Sequence, residues 1–430
     1  MTFVGCESNS QNPAESAKAT VPTTSNVPLR LWIVGQVSDP SLVERAWLTG
    51  SDQKLEIRIL TVEEYLSEKT CNCDVTMYPS RLLGEMIDRK WLTKLPGSLI
   101  AADVDAQPVP SIWARQVSYG GDVWAVPLGA TVPVTVVSQS AADAASKGID
   151  WDGLLKLIDA DKSSTQKGDR AMIDRASVDR AALVDRFLAI VASLTQRSPA
   201  YGLLFDLQKM KPRLTDPEFV RAAEILLKLS QQTSDPETAI QSVTSDSSAA
   251  WAWINAQTKP AVTIVSPALL SASAMKDTGC KAIRVPAESI GWNTGSGLIA
   301  SLSTSCRQSA RATQLLHWLK KSETRNSLSP LIAGVESVSP TAGSDSSAWQ
   351  ARSIANEQAA NGKIPSELRL PRAEEYRNVL TDTLITILAG EKPIADALSG
   401  ASAAWQVITD ARGRELQRND YEQSLGLTRN

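Results

Sequence analysis

The stretch Tyr119–Ser138, YGGDVWAVPLGATVPVTVVS, decides the fold. It is apolar and rich in β-branched residues, but Pro127, Gly129 and Pro133 interrupt it. A strand averages about 5–6 residues and accepts proline only at its ends, at sheet edges or at bulges. We therefore interpret the stretch as two short strands joined at 128–130, where the chain leaves one sheet and enters another. Two lobes joined in this way enclose a cleft, and such clefts bind small ligands.

Length and composition limit the possible functions. At 430 residues the chain exceeds what one hydrophobic core usually organises, so two domains are expected. The formal net charge is −3, from 44 basic and 47 acidic residues spread along the chain. This balance predicts no strongly basic surface that could bind DNA or RNA, so no nucleic-acid partner is expected. The longest apolar runs fall short of the roughly 20 residues that a membrane-spanning helix needs.

The first residues, MTFVGC at 1–6, resemble the end of a bacterial lipoprotein signal, in which small residues precede a cysteine that becomes acylated. The charged and apolar regions of such a signal do not precede them, which suggests a start site placed too late. Residues 7–27 contain no leucine, isoleucine or aromatic residue and cannot bury enough surface to fold. We interpret Cys6 as a lipidation site and 1–28 as a signal remnant and tether. A chance cysteine near the start is the alternative.

The other cysteines do not form a metal-binding pattern. Cys71 and Cys73 lack the spacing of a zinc site, and the only histidine, His317, is far away in the sequence. Cys280 and Cys306 are compatible with a disulfide in an oxidising compartment or with two separate buried thiols. The sequence predicts no metal ion and no cofactor.

Strands and helices alternate in the first part of the chain. Asp39, Thr61 and Ser80 stand where helix N-caps are needed. Alternation with short connections is typical of a parallel sheet with crossover helices, so an α/β lobe is predicted here. Strands are predicted at 29–35, 54–60 and 73–79, and helices at 39–50, 61–68 and 80–92.

After the stretch 119–138 the sequence becomes mostly helical, with short extended segments between the helices. A return crossing between the lobes is expected near 290–297. Helices are predicted at 150–160, 176–196, 216–232, 235–245, 307–323, 346–360, 371–389 and 393–410. Extended segments are predicted at 171–174, 260–267, 281–286 and 295–303.

Candidate ligand-binding residues follow the first and third predicted strands. Open α/β sheets bind ligands outside the carboxyl ends of their strands, which selects Gln36 after the first strand and Tyr78, Ser80 and Arg81 around the end of the third. Ser80 and Arg81 also begin a predicted helix, where free N–H groups and the helix dipole favour an anionic or hydroxyl-rich ligand. Alternatively, Ser80 only caps the helix and Arg81 pairs with a surface carboxylate.

Tryptophan is unusually frequent, with 12 residues against 4 phenylalanines. Trp292 lies in IGWNTG, a polar, glycine-flanked segment that we expect to cross between the lobes. Trp292 and Asn293 are therefore candidate ligand contacts, with packing as the equal alternative. Four other tryptophans at helical apolar positions are expected in the core: Trp47, Trp151, Trp318 and Trp405.

Catalytic patterns are weak. His317 lies on a predicted helix face, so serine or cysteine nucleophiles have no histidine base. Gly295 and Gly297 lead into an apolar extended segment without the third glycine of a dinucleotide fingerprint. A glycosidase would need two carboxylates facing one cleft, a pattern that sequence cannot test. The chain is predicted not to be an enzyme.

Several short sequence segments match those of a known family. They are VTMYPSRLLG at 75–84, VWAVP at 123–127 and WDGLL at 151–155, followed by a C-terminal series of Tyr376, Ala389-Gly390, Ala397-Leu398, Trp405, Thr409-Asp410, Gly413-Arg414, Gln417, Tyr421 and Leu425-Gly426-Leu427. From about Leu29 to Leu427 the chain resembles the extracellular solute-binding proteins of family 1, the sugar-type receptors of ABC importers, and in particular lipoprotein members from planctomycete-like bacteria. One departure is Ser266-Pro267, where such receptors often place Trp-Pro as a stacking platform.

The resemblance implies a class II periplasmic binding fold, with two α/β lobes and a ligand clamped between them. The N-lobe is expected at 29–128 plus about 295–330, and the helix-rich C-lobe at 129–294 plus about 331–430. The implied function is a monomeric, lipid-anchored receptor outside the cytoplasm that delivers a small polar solute, first of all a carbohydrate, to an ABC permease. A carbohydrate-active enzyme on a similar scaffold and a sensory lipoprotein are the alternatives.

Overall fold

The computed structural model describes residues 27–96, 99, 111–145, 149–159, 173–195, 202–232, 236–270, 279–286, 291–336, 346–360 and 364–427. The strands are Leu29–Val34, Leu55–Leu60, Val75–Pro79, Ser118–Tyr119, Asp122–Val123, Val126–Pro127, Val134–Val137, Phe205–Asp206, Lys211–Pro212, Val262–Val265, Lys281–Ile283 and Leu298–Leu302. The α-helices are Pro40–Leu48, Val62–Ser67, Leu83–Asp88, Ser111–Val117, Gln139–Ala145, Trp151–Asp159, Arg180–Leu194, Pro217–Leu229, Pro236–Thr244, Ser247–Asn255, Ser309–Lys320, Ser322–Leu328, Ser347–Ala360, Ala373–Leu388, Ile394–Arg412 and Arg414–Ser424.

The first lobe is built on a five-stranded sheet with the strand order 55–60, 29–34, 75–79, 298–302 and 126–127. The first three strands are parallel, and strand 298–302 is antiparallel to both of its neighbours. Both faces of the central strands pack against buried side chains of the lobe. This is why strand 75–79 is buried at every position instead of alternating between apolar and polar residues.

Two of the three predicted helix caps are present in the first lobe. The Asp39 side chain accepts a hydrogen bond from the N–H of Ser41, and Thr61 forms a capping box with Glu64. The prediction for Ser80 is wrong, because the chain makes a 3-10 turn over Ser80–Leu82 before the α-helix begins. The Ser80 hydroxyl instead donates to the carbonyl oxygen of Gly295 at 3.3 Å.

The second lobe combines a small sheet with a large helical core. Strand 134–137 lies in the middle of a three-stranded antiparallel sheet, between strands 262–265 and 281–283. On one side, helices 180–194, 217–229, 373–388 and 394–412 pack together. There the rings of Phe205 and Trp405 stack with centroids 5.2 Å apart. On the other side, helix 347–360 packs against strand 281–283.

The two sheets are connected by segments whose backbones touch. Residues 128–133 lead from strand 126–127 of the first sheet to strand 134–137 of the second, and residues 291–297 lead back into strand 298–302. A Cβ atom on Gly297 would lie 2.4 Å from the carbonyl oxygen of Gly129, and one on Gly129 would lie 2.5 Å from that of Gly334. Only glycine permits backbones to approach this closely.

Several elements differ from the sequence predictions. The predicted helix 307–323 is two helices, 309–320 and 322–328, because Lys321 is extended with φ −64° and ψ 141°. The extended segments of the second sheet are shorter than predicted because their shared partner, strand 134–137, has four residues. Of the predicted extended segment 171–174, the structure describes residues 173 and 174, and these two form no strand. Helices 111–117, 139–145, 247–255 and 414–424 were not predicted.

The tryptophans expected in the core largely lie there. Trp47, Trp151 and Trp405 are buried. Trp318 is only partly buried, and its ring contacts that of Trp47 edge-on with centroids 5.4 Å apart.

Candidate functional site

The candidate site is the interlobe junction, where edges of the two sheets face each other. In the first sheet the parallel strands end at this edge, which places Gln36 and Ser80 there. In the second sheet strand 134–137 begins and strand 262–265 ends at the same edge, since Val134 pairs with Val265. Pro133 and Ser266 are therefore the second lobe's residues at this edge.

Backbone hydrogen bonds cross the interlobe junction. The segment 333–334 bonds to both lobes: the N–H of Ala333 donates to the carbonyl oxygen of Gln36 in the first lobe at 3.2 Å, and the N–H of Gly334 donates to that of Ala268 in the second lobe at 3.1 Å. Between the two crossing segments, the N–H of Thr294 donates to the carbonyl oxygen of Thr131 at 3.0 Å. The lobes are in direct contact in this conformation.

A buried group of charges spans the junction, and we call it the interlobe ion network. Arg81 of the first lobe pairs with Glu374 of the second lobe at 2.5 Å. Arg81 also donates to the Ser296 hydroxyl at 3.2 Å, and that hydroxyl donates to Asp185 at 3.1 Å. The network thus runs from the end of strand 75–79, through a crossing segment, to helix 180–194. Its members are Arg81, Asp185, Ser296, Glu367, Glu374 and Arg377.

Arg377 is the centre of the network within the second lobe. Its guanidinium pairs with Asp185 at 2.9 Å and with Glu367 at 2.5 Å, and all three side chains are almost completely buried. Burial raises the pKa of both Asp185 and Glu367, and the positive charge of Arg377 counteracts that rise. Burial also opposes the charge of Glu374, but Arg81 and Arg377 hold the pKa of this carboxyl below its ordinary value.

Arg186, next to Asp185 in helix 180–194, has a different environment. Its guanidinium donates to the carbonyl oxygens of Ile264 at 2.7 Å, Val243 at 2.8 Å and Ser245 at 2.6 Å. Burial lowers the pKa of Arg186 to about 10. This side chain holds the end of helix 236–244 against strand 262–265 beside the junction.

Glu336 is an acid buried against the crossing segment 128–133. Its carboxylate accepts a hydrogen bond from the N–H of Ala130 at 3.1 Å, and its own N–H donates to the carbonyl oxygen of Leu128 at 3.0 Å. Burial raises the pKa of Glu336 to about 7, although Arg325 and Arg352 lower it in part. The protonation of this carboxyl therefore changes near neutral pH.

Two cavities at the junction are small. One lies beside Asp185, Arg186 and Ser266 and offers about 10 Å³ to the centre of a water molecule. The other lies between Pro267, Glu336 and Arg352 and offers the same volume, about 10 Å³. This is about the room that a single water needs. At these two points a sugar fits only if the lobes move apart.

The six predicted ligand contacts lie at or near the junction, and Gln36 alone among them is exposed. Ser80 is buried against Gly295, and Arg81 belongs to the interlobe ion network. Tyr78 lies in the core of the first lobe, where its hydroxyl meets that of Ser301 at 2.8 Å.

Trp292 and Asn293 are also fully buried. The Trp292 ring packs in the helical core of the second lobe, and its Nε1 has no hydrogen-bond partner among the described residues. The backbone of Asn293 bonds to Pro365 and Glu367, both at 3.0 Å. The two residues thus join a crossing segment to the second lobe in this conformation.

Sequence reasoning missed the acidic half of the network. Asp185 and Arg186 interrupt the apolar run AALVDRFLAIVASL, and two adjacent charges inside such a run are a signal of a buried polar site. Glu367 and Arg377 carry no comparable signal, because each lies in a stretch that is polar in any case. Glu336 likewise stands in a segment without a distinctive pattern.

The structure tests the disulfide prediction but not the lipidation prediction. Cys280 packs in the second lobe and Cys306 in the first, so the structure does not join these two cysteines in a disulfide. Cys6 lies outside the described residues. Within the described ranges no cluster of three or more metal-binding side chains occurs, and no helix is long and apolar enough to cross a membrane.

No family model and no curated protein matches this chain. Solved structures match it along almost the whole length. An ABC transporter solute-binding protein from Agrobacterium radiobacter K84 in complex with ribitol has a TM-score of 0.66 and 16% identity, with 90% of this chain and 99% of that chain covered. One from Agrobacterium vitis S4 with bound D-mannitol has a TM-score of 0.64 and 15% identity, with the same coverage of 90% and 99%.

The sugar-binding protein MalE from Xanthomonas citri is also similar, with a TM-score of 0.61 and 13% identity, covering 91% of this chain and 100% of that chain. At such identities the likeness concerns the fold. The chain therefore has the two-lobed, class II periplasmic-binding fold that its sequence predicts.

Proposed function

We propose that this chain is the substrate-binding lipoprotein of an ABC importer. It captures a small polar solute, a carbohydrate or polyol, between its lobes and delivers it to a permease outside the cytoplasm. It acts as a monomer that makes and breaks no bond in its ligand. The lobes are those expected from the sequence, 29–128 with about 295–330 and 129–294 with about 331–430.

The observation that carries this proposal is the interlobe junction. The carboxyl ends of the parallel strands face the second lobe across short glycine-containing crossings, the arrangement in which open α/β sheets bind ligands. Similar structures hold ribitol and D-mannitol. Hinge motion about the crossings provides the way for a ligand to select a closed state.

The carboxylates at the junction favour a receptor over a glycosidase. Asp185, Glu367 and Glu374 each pair with Arg81 or Arg377 at 2.5–2.9 Å. A glycosidase needs one carboxylic acid that donates a proton and one free carboxylate facing the sugar. Carboxylates held in ion pairs serve structure and ligand selection instead.

We retain Gln36, Tyr78, Ser80, Arg81, Trp292 and Asn293 as the candidate ligand site. Gln36 is available in the present conformation, and Ser80 and Arg81 become available when the lobes separate. Arg81→Ala or Trp292→Ala should cost about 1–3 kcal/mol of binding free energy. Gln314→Ala, at an exposed position of helix 309–320, is the control, and far-UV circular dichroism verifies that each variant folds.

The solute is to be identified by thermal shift with a panel of monosaccharides, disaccharides and polyols. A ligand at 100 times its dissociation constant stabilises the folded protein by about 2.7 kcal/mol, which is a few degrees or less for a chain of this length. Small-angle scattering at saturation should then show a smaller radius of gyration. No stabilisation by any member of the panel would refute carbohydrate capture, and an unchanged scattering profile would refute hinge closure.

The lipid anchor at Cys6 is a separate part of the proposal. It rests on the sequence FVGC at 3–6 and on the polar tether that follows. When the protein is expressed with its upstream coding sequence, it should fractionate with membranes, and Cys6→Ala should release it or stall its processing. Cys280→Ala is the matched control. Equal membrane association of both variants would exclude acylation at Cys6.

A further inference from the structure

Two cysteines face each other at the start of the third strand of the first sheet. The Sγ atoms of Cys71 and Cys73 are 3.2 Å apart, and both side chains are buried. A disulfide bond is about 2.05 Å long, so a small rotation of the side chains would bring the two sulfurs into bonding distance. Both thiols are free in this structure.

The backbone around the two cysteines is held from both sides. The hydroxyls of Ser303 and Ser305 donate to the carbonyl oxygen of Cys71. After Cys73, the N–H of Asp74 donates to the carbonyl oxygen of Arg30 at 2.8 Å, and the Asp74 carboxylate accepts from the N–H of Arg307 at 2.8 Å. These bonds fix the segment against two neighbouring parts of the lobe, so the thiols cannot easily move apart.

The two thiols are chemically unequal. The hydrogen bond from Cys73 lowers the pKa of Cys71, whereas burial and the hydrogen bond to Cys71 raise that of Cys73. In the folded chain Cys71 is therefore the thiol of the pair that loses its proton more readily, and the thiolate is the nucleophile in disulfide exchange.

We propose that Cys71 and Cys73 form a disulfide when the chain folds in an oxidising compartment. The Cys71 thiolate attacks an external disulfide, such as oxidised glutathione, and releases one thiolate. Cys73 then loses its proton to solvent and attacks the Cys71 sulfur of the mixed disulfide, which releases the second thiolate. In total, two protein thiols are oxidised and one external disulfide is reduced. The proposal rests on the proposed function only for the compartment.

The position of the pair predicts what the bond does. It closes the loop before strand 75–79, at the end of the strand opposite to Ser80 and Arg81. The disulfide should therefore stiffen the start of strand 75–79 and leave the interlobe junction unchanged. Because both sulfurs are buried, oxidation should occur during folding and be slow in the native protein.

The test uses the full chain, unfolded in denaturant and refolded with oxidised glutathione. After alkylation under denaturing conditions and digestion with trypsin, the peptide 70–81 contains both cysteines. We expect this peptide to be almost completely unalkylated and lighter than its reduced form by two hydrogen atoms. In Cys71→Ser, Cys73 should become fully alkylated, and in Cys280→Ser the 70–81 disulfide should persist.

Two results would overturn the proposal. One is full alkylation of both cysteines in a refolded chain whose circular dichroism is native. The other is a cross-linked peptide that joins Cys306 to Cys71 or Cys73. Because the readout is a peptide mass, it is independent of sugar binding. A chain that binds no carbohydrate can still carry the disulfide, and a carbohydrate receptor can lack it.

Discussion

The two ends of strand 75–79 carry similar ion pairs in different settings. At its start, Asp74 pairs with Arg30 of the neighbouring strand at 3.0 Å, so both partners belong to one sheet. At its end, Arg81 pairs with Glu374 of the second lobe at 2.5 Å. We call the first end the floor of the sheet and the second its cleft edge. An ion pair at the floor lies within one lobe and is not affected when the lobes separate, whereas one at the cleft edge can open.

The acids of the two regions also differ in protonation. Burial opposes the charge of Asp74, but Arg30 and the N–H groups of Arg30 and Arg307 lower its pKa below the ordinary value. Glu336, which packs against the crossing segment 128–133, has one N–H donor in Ala130 and a pKa raised to about 7. The acid at the floor thus carries a permanent charge, whereas the acid beside this crossing segment titrates near neutrality. Substitutions in the two regions should therefore change different properties.

The largest effect is expected from Arg30→Met at the floor. It leaves the Asp74 carboxylate, whose side chain is 1% exposed, with the N–H groups of Arg30 and Arg307 and the Cys306 thiol as donors. Removing one partner of a buried ion pair costs about 3–5 kcal/mol of the free energy of unfolding. Because Asp74 keeps other hydrogen-bond donors, we expect a loss of about 3 kcal/mol. Urea denaturation at pH 7 measures this loss, and the affinity for the proposed solute should not change.

The control for this variant is Arg180→Met, which breaks a pair with Asp382 in which both side chains are exposed. Such pairs are worth at most about 1 kcal/mol. The stability from Asp74 is present above its unfolded pKa and is lost as pH falls through its lowered folded pKa, so the difference between wild type and Arg30→Met should shrink in acid. A loss below 1 kcal/mol at pH 7 would contradict a rigid floor.

Glu336→Gln should have a smaller effect with the opposite pH dependence. The folded pKa of about 7 lies above the ordinary value of 4.5, so the stability of the protonated form is present below the unfolded pKa and is lost as pH rises through about 7. Glutamine keeps an acceptor for the N–H of Ala130. The variant should equal the wild type near pH 4 and exceed it at pH 8 by at most about 3 kcal/mol.

Unfolding measured from pH 4 to pH 8 tests this prediction. Glu56→Gln, at an exposed position of strand 55–60, is the control and should follow the wild type at every pH. A variant that is less stable than the wild type at pH 8 would show that Arg325 and Arg352 hold Glu336 charged.

The sequence predicted the floor and the crossing better than the cleft edge. Alternating strands and helices with caps at Asp39 and Thr61 are local signals, and the prolines and glycine of 119–138 mark the place where the chain changes sheets. The partner of Arg81 is 293 residues away in the sequence, and no local pattern connects two charges over that distance. The sequence therefore proposed Arg81 as a ligand contact, which stays a prediction, and missed the acids that bind it.

The smallest effect, and the sharpest test of the comparison, is expected from Glu374→Gln. This change keeps the shape of the side chain and removes the charge that binds Arg81 across the lobes. We expect the free energy of unfolding to change little, because both partners can reach water when the lobes separate. A loss of about 1 kcal/mol in the closed state corresponds to about a fivefold shift toward the open one.

The free Glu374→Gln variant should therefore have a larger radius of gyration than the wild type, and its affinity for the proposed solute should fall by up to about fivefold. With saturating solute, both proteins should reach the same radius. Glu375→Gln is the matched control, since the Glu375 carboxylate pairs with Arg372 at the same end of the helix and not with the first lobe. If Glu374→Gln instead binds solute more tightly, the Arg81–Glu374 pair competes with the ligand for Arg81. The cleft edge would then select the solute by exchange of hydrogen bonds, and closure would depend on the crossings alone.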